Sequence, residues 1–240
     1  MNLVLLALAA LKSGKVLVTI GSMALSLVIY AQVWGWPFAA GFIALLFMHE
    51  MGHVAAARIR GVPVGAPAFI PFFGAFVALR QMPGTAEEDA YIAYGGPFLG
   101  TLATFAVYFW ARDAGSQLGL AVAYSGFFLN LFNLLPLMPL DGGRITSVLG
   151  PRIWLLGAPL MLAFMLYHPS PMLVLIAIIA IPHLVAAWRF DPSLPENQRF
   201  YALPAQVKFE YAALYLVLLA LLALMTSSVH DMLRGVHGGD

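Results

Sequence analysis

Seven long apolar stretches run through this chain, and they constrain its fold more than any other feature of the sequence. A helix needs about 20 mainly apolar residues to cross the hydrocarbon core of a bilayer. The stretches that meet or approach this length are Val16–Trp34, Pro37–Ala57, Ala90–Ala111, Leu118–Pro136, Ile153–Tyr167, Met172–Trp188 and Tyr211–Val229. We therefore predict an all-α polytopic membrane protein with about seven transmembrane helices, or six if the fifth and sixth stretches form one bent pair.

Composition supports a lipid environment and excludes several functions. Hydrophobic residues make up 62% of the 240 positions and charged residues only 10%, whereas soluble domains carry about 25% charged residues. The net charge of +1 and the lack of a basic patch with interleaved aromatic residues give no reason to expect a nucleic-acid partner. The chain has no cysteine, which excludes disulfides, thiolate metal sites and cysteine nucleophiles.

The basic residues predict how the spans are oriented. With a cytoplasmic amino terminus and seven spans, ten of the twelve basic residues fall on the cytoplasmic side, where Lys and Arg collect in membrane proteins. These ten are Lys12, Lys15, Arg58, Arg60, Arg80, Arg144, Arg152, Arg189, Arg199 and Lys208, whereas Arg112 and Arg234 fall outside. The first apolar segment, Met1–Leu11, has its basic residues after it rather than before it, so we expect a retained interfacial or partly inserted segment.

Two segments interrupt the helical pattern. Val62–Arg80 is apolar but follows Gly61 and contains three prolines and two glycines, which exclude a straight helix. Irregular backbone at membrane depth is tolerated only where protein or a water-filled cavity satisfies it. We therefore expect a membrane-edge β-hairpin or re-entrant segment near residues 62–80. Asp191–Lys208 is the one long polar stretch, and we interpret it as a cytoplasmic loop.

The second predicted span contains the sequence His49-Glu50-Met51-Gly52-His53. Positions i and i+4 lie on one face of a helix, so both imidazoles can reach a single metal ion. Glu50, next to the first histidine, is placed to take a proton from an attacking water. A polar patch at a helix end is the alternative, but ionisable groups inside a span are costly and are usually functional.

A third ligand is needed, because two histidines do not complete a zinc site. Of the eleven acidic residues, only Glu50 and Asp141 lie at or near membrane depth in apolar surroundings. The predicted topology brings the fourth span, which Asp141 follows, to the same side as the histidines of the second. His183 is the competing ligand, although a hydrogen-bonded or interfacial histidine is the simpler interpretation of it.

The motifs HEMGH and NLLPLMPLDGG, in two different predicted spans, resemble those of the site-2 protease family of intramembrane zinc metalloproteases (peptidase family M50). The resemblance covers roughly Pro37 to Arg144. It implies that His49, His53 and Asp141 bind one Zn²⁺ ion and that Glu50 activates water. It also implies that Asn133 holds the substrate or stabilises the oxyanion, and that segment 62–80 can pair with an extended substrate.

Several polar or small residues have simpler interpretations. For Asn130 we favour a helix–helix hydrogen bond, and for the Gly96–Gly100 pair we favour close helix packing over substrate gating. Gly100 stands where some family members have a polar residue, which leaves a polar role for that helix open. Glu87, Glu88 and Asp89 are interpreted as a solvated loop.

These expectations combine into one description of the molecule. We expect a single membrane-embedded protease domain over residues 1–240, with a catalytic core at about 37–149 and accessory helices at 1–36 and 150–240. It would lie in the cell (inner) membrane, with its amino terminus and active-site end cytoplasmic. Its partners would be membrane lipid, a transmembrane protein or peptide substrate and an unidentified regulator. The alternatives are a catalytically silent scaffold or chaperone and, less favoured, a metal or proton transporter.

Overall fold

The structure, a computed structural model, describes residues 14–72 and 74–235, so the predicted interfacial segment Met1–Leu11 lies outside it. The described chain is mostly helical. Its helices are α1 (Gly14–Trp34), α2 (Trp36–Ile59), α3 (Ala86–Asp113), α4 (Gln117–Asn133), α5 (Asp141–Thr146), α6 (Trp154–Tyr167), α7 (Pro171–Trp188), α8 (Pro195–Tyr201) and α9 (Ala205–Gly235). Its strands are β1 (Ala68–Ile70) and β2 (Gly74–Phe76), and two single 3₁₀ turns, Ser147–Leu149 and Pro151–Ile153, connect α5 to α6.

Five of the described helices, rather than seven, are long and apolar enough to cross a membrane. They are α1 from Val16, α2, α3, α7 and α9. The other two predicted spans form helices that are too short for this assignment, α4 with 17 residues and α6 with 14. Helix α4 ends at Asn133, before the predicted end at Pro136, because the chain turns at Leu134. The count of seven spans is thus not confirmed.

The outward faces of the long helices carry large apolar side chains. Leu17 on α1, Ile178 on α7 and Val217 on α9 are 57%, 56% and 67% exposed. Contiguous apolar surface of this kind is rare on soluble monomers and is stable where lipid replaces water. The chain is therefore an integral membrane protein.

Segment 62–80 forms the predicted hairpin. Strands β1 and β2 pair antiparallel, with Phe69 opposite Ala75, and the pairing is extended by the bond from the Gly65 N–H to the Ala78 carbonyl. Helix α1 covers the outer edge of β1. Ser22 Oγ accepts from the Phe69 N–H at 3.1 Å, and the Tyr30 hydroxyl accepts from the Phe72 N–H at 2.9 Å. Helix α1 therefore satisfies the Phe69 N–H of β1 and the Phe72 N–H just after it.

The first turn of α3 corrects the prediction of a solvated loop at Glu87-Glu88-Asp89. Thr85 caps the helix, its hydroxyl accepting from the Glu88 N–H, and the Glu88 carboxylate accepts from the Gly84 N–H at 2.6 Å. These acidic residues also suit the positive end of the helix dipole. The sequence Thr85-Ala86-Glu87-Glu88 is typical of a capped helix start. The prediction of a loop gave more weight to the three consecutive acidic residues than to this capping pattern.

Segment Asp191–Lys208 is also more ordered than predicted. It contains helix α8, which begins at Pro195 and has Glu196 in its first turn, and the first residues of α9. Proline fixes a backbone angle that suits the first turn of a helix, so Pro195 favours this start. The segment connects α7 to α9, as a loop between two spans does, and its cytoplasmic position stays a prediction.

The centre of the fold is the contact between α2 and α3, which two glycines make possible. A side chain at Gly52 would overlap the backbone carbonyl of Gly95, and a side chain at Gly95 would meet Ala56. Helix α4 packs against both helices, and α9 packs against α4. Helix α2, which carries the HEMGH motif, is thus held at backbone contact distance from α3.

Candidate metal centre

The structure brings His49, His53 and Asp141 together as a possible zinc site. His49 and His53 project from one face of α2, and Asp141 is the first residue of α5. Their exposed fractions are 3%, 7% and 8%. Nε2 of His49 lies 3.1 Å from Oδ2 of Asp141 and 3.2 Å from Nε2 of His53, and the third side of the triangle measures 3.3 Å.

These separations fit a tetrahedral zinc ion. Zinc bonds of about 2.0–2.1 Å at tetrahedral angles place neighbouring ligand atoms about 3.3–3.4 Å apart. Two imidazoles and one carboxylate leave the fourth position open, as catalytic zinc sites require. His183, the competing ligand, is outside this group, and its ring lies edge-on to Trp154 at 6.1 Å.

Both histidine rings are held from behind through Nδ1. Nδ1 of His49 lies 2.8 Å from Oδ1 of Asn130 on α4, and Nδ1 of His53 lies 2.9 Å from the carbonyl oxygen of Ile92 on α3. Such contacts fix the orientation of a metal-binding imidazole. The preferred interpretation of Asn130 as a helix–helix hydrogen bond is confirmed, and its partner is a candidate ligand.

Glu50 is buried beside the group. It is 3% exposed, and its Oε2 atom has no hydrogen-bond partner among the described residues. An unpaired carboxylate oxygen in an apolar interior is unfavourable unless a water or ligand satisfies it. Because Glu50 lies next to the three candidate ligands, a water or ligand bound at the metal centre could satisfy this oxygen.

Glycines of α3 make room for the imidazoles. A side chain at Gly96 would overlap the His53 ring and would come within 2.9 Å of Nε2 of His49. A side chain at Gly100 would overlap the amide of Asn130. The packing interpretation of this glycine pair is confirmed, and the surface that it packs against is the metal centre.

Asp141 is positioned by the turn that follows α4. A side chain at Gly142 would overlap the Leu134 carbonyl, and one at Gly143 would lie 2.5 Å from the Leu137 carbonyl carbon, so the two glycines let α5 press against this turn. Trp154 Nε1 donates to the Gly143 carbonyl at 2.7 Å. The two glycines of the Asp-Gly-Gly sequence therefore allow the backbone packing that places Asp141, a candidate ligand.

An ion pair behind Asp141 was not predicted. Arg144 donates from Nε and Nη2 to Oδ1 of Asp89, at 3.0 and 2.6 Å, and its Nη1 lies 4.0 Å from Oδ1 of Asp141. Burial alone would lower the pKa of Arg144, but the carboxylate of Asp89 outweighs it and holds this pKa above its ordinary value. The pair joins the start of α3 to the helix that carries Asp141.

Asn133, the predicted oxyanion residue, hydrogen-bonds within its own helix rather than to the metal centre. Its Nδ2 donates to the Leu129 carbonyl at 3.1 Å, one turn earlier in α4. It is partly buried. Its assignment to the oxyanion stays a prediction.

Comparison with known proteins gives the same family as the motifs. Residues 37–117 match the sequence model of peptidase family M50. The protein named "Putative zinc metalloprotease Rip3" of Mycobacterium tuberculosis is 34% identical over an alignment of 128 positions, which covers 48% of this chain and 32% of the relative. "Putative zinc metalloprotease sll0528" of Synechocystis is 29% identical over 126 residues, 46% of this chain and 32% of the relative.

A solved structure is also similar. The site-2 protease from Methanocaldococcus jannaschii superposes with a TM-score of 0.47 at 18% identity, covering 70% of this chain and 87% of that one. The chain spans about a third of the length of the curated relatives that it matches. Over residues 37–117, which carry both histidines of the HEMGH motif, the chain is similar to peptidase family M50.

Proposed function

We propose that this protein is an intramembrane zinc metalloprotease that hydrolyses peptide bonds in transmembrane or membrane-associated substrates. The observation that carries the proposal is the buried triangle of His49, His53 and Asp141, with sides of 3.1–3.3 Å, next to the unpaired carboxylate oxygen of Glu50. A metal transporter or a silent scaffold has no need of a free base at this point. Regulated cleavage of single-span proteins is the activity that we infer.

The residues have separate roles in this proposal. Zinc held by His49, His53 and Asp141 would acidify water and polarise the scissile carbonyl. Glu50 takes the proton from the attacking water and then delivers it to the leaving amine. The side-chain amide of Asn133 donates to the oxygen on which negative charge develops. To do so it would give up its bond to the Leu129 carbonyl.

The hairpin supplies a place for the substrate backbone. In an antiparallel pair, residues directly opposite each other either bond to one another or both point away. Because the Phe69 N–H binds Ser22 instead of its opposite residue Ala75, the N–H and carbonyl of Ala75 also point away from β1. Helix α1 occupies the edge of β1, so we propose that an extended substrate pairs with β2, which packs against α2.

The arrangement in the cell follows from the basic residues. We propose a catalytic core at residues 37–149, accessory helices at 1–36 and 150–240, and a location in the cell (inner) membrane. The amino terminus and the active-site end would face the cytoplasm, as the distribution of lysine and arginine indicates. Water then has only a short path to the metal centre.

The proposal is tested by cleavage of a fluorogenic transmembrane peptide by the purified chain in liposomes. Glu50→Gln should keep its zinc and lose cleavage by at least 100-fold, since general bases contribute about 10²–10⁴ in rate. Glu210→Gln, which changes an exposed glutamate in α9, is the matched control and should cleave like wild type. Equal cleavage by wild type and Glu50→Gln would contradict the proposal.

A further inference from the structure

Asn130 contacts a candidate zinc ligand through a side chain that is itself held on its other side. Its amide lies between Nδ1 of His49, at 2.8 Å, and the carbonyl oxygen of Gly126, at 2.8 Å. It is 1% exposed. We propose that Asn130 is a positioning residue that fixes the ring and tautomer of His49 so that Nε2 faces the metal. This inference rests on the zinc site of the proposed function.

The hydrogen-bond pattern has one consistent assignment. The Gly126 carbonyl can only accept, so the amide atom that faces it must be the donor Nδ2. Oδ1 of Asn130 is then the atom that faces His49, and it can only accept. Nδ1 of His49 must therefore carry the proton, which leaves the lone pair on Nε2, the atom that points at His53 and Asp141.

The surrounding helices leave space for this amide and for little else. Gly100 on α3 lies against it, and any side chain at that position would overlap Oδ1 of Asn130. A buried amide with both ends bound cannot rotate without leaving a polar group unpaired. The acceptor for His49 is thus rigid before any metal arrives.

The two histidines differ in how their rings are held. His53 uses the backbone carbonyl of Ile92, which no side-chain substitution removes. His49 depends on a side chain, so its tautomer can be changed by substitution at one position. Loss of such a supporting partner lowers metal affinity by about 10–100-fold in other zinc sites.

The test measures zinc affinity by competition with a chromophoric chelator, using the full chain in detergent. Asn130→Leu keeps the approximate volume of the side chain but removes the acceptor, and it should raise the Kd for zinc by about 10–100-fold. Asn130→Asp keeps the acceptor and loses the donor to Gly126, so its zinc Kd should not rise by more than about threefold over wild type. The visible spectrum of the Co²⁺ form should shift for Asn130→Leu and not for Asn130→Asp.

Thr104→Val is the matched control. Thr104 is also fully buried beside Gly126, but its hydroxyl donates to the Gly100 carbonyl of its own helix, at 2.7 Å, and not to a candidate zinc ligand. This variant should bind zinc like wild type, and an equal loss of affinity in Thr104→Val and Asn130→Leu would overturn the proposal. If Asn130→Leu does not fold, Gly100→Ala breaks the same bond from α3 and should weaken zinc binding in its place.

The readouts separate this inference from the protease activity. Wild-type zinc affinity in Asn130→Leu, in a chain that cleaves its substrate, would overturn the positioning role and leave the proposed function intact. Tight zinc binding that depends on Asn130, in a chain that cleaves nothing, would support the positioning role and contradict the proposed function. A zinc Kd that rises equally in Asn130→Asp and Asn130→Leu would show that the acceptor is not the relevant group, and it would also overturn the proposal.

Discussion

The ion pair between Asp89 and Arg144 should stabilise the fold much more than an exposed pair on the same helix start. Two nitrogens of Arg144 bind one oxygen of Asp89 at 3.0 and 2.6 Å, and the side chains are only 19% and 17% exposed. Opposite charges about 4 Å apart interact by about 4 kcal/mol at an effective dielectric constant of about 20, and by about 1 kcal/mol in water. We therefore expect a coupling free energy of about 2–4 kcal/mol.

Arg60 and Glu87 provide the comparison. Their closest atoms are 3.3 Å apart, and their side chains are 36% and 34% exposed. Exposed pairs typically contribute less than about 1 kcal/mol. Both pairs use an acidic residue in the first turn of α3. A difference between their coupling free energies therefore reports burial rather than position in the fold.

The assay is a double-mutant cycle on the free energy of unfolding in mixed micelles. The variants are Arg144→Gln, Asp89→Asn and the double variant, followed by Arg60→Gln, Glu87→Gln and their double variant. Arg144→Gln should also weaken zinc binding, because it removes the bonds to Asp89 that hold the helix carrying Asp141 against the start of α3. Equal coupling in the two cycles would refute the reasoning that burial makes the Asp89–Arg144 pair a structural link to the metal centre.

Three further predictions concern the metal and the hairpin. Gly96→Ala should abolish zinc binding, because the new methyl group would overlap the His53 ring. Gly21→Ala, at an open position of α1, is the control. Retained zinc in Gly96→Ala would contradict the packing described. Removal of zinc by a chelator should lower the free energy of unfolding by about 2.7 kcal/mol relative to a sample with free zinc at 100 times its Kd, and an unchanged denaturation midpoint would contradict a native metal site. Tyr30→Phe leaves the Phe72 N–H without its acceptor, so it should reduce the free energy of unfolding by about 1 kcal/mol. It should also reduce kcat/KM for the peptide without changing the zinc content. Tyr167→Phe, at an exposed position, should change neither the stability nor kcat/KM.

The parts of the site that the sequence predicted are those with a local or compositional signal. The spacing of His49 and His53 follows from helix geometry, and Asp141 was found because so few acidic residues lie in apolar surroundings. The hairpin was predicted from breakers inside an apolar segment, and the structure confirms it. Each of these inferences uses only residue type, spacing and depth.

The parts that could not be predicted depend on contacts between distant segments. The bond between Asn130 and His49 joins residues 81 positions apart, and the bond between Arg144 and Asp89 joins residues 55 positions apart. The pattern of hydrophobicity contains no information about such partners. Hydropathy also does not show where α4 ends, whereas the turn at Leu134 does, and the count of seven spans stays a prediction.

The most direct test of the account is the zinc content per chain, measured by elemental analysis on wild type, Asp141→Ala and Asp191→Ala after equilibration with zinc and gel filtration. Asp191 is an exposed aspartate in the segment before α8, and its substitution serves as the control. The account predicts one zinc ion per chain in wild type and Asp191→Ala and almost none in Asp141→Ala. Wild type without zinc, or Asp141→Ala with one zinc ion per chain, would contradict a metal centre built from His49, His53 and Asp141.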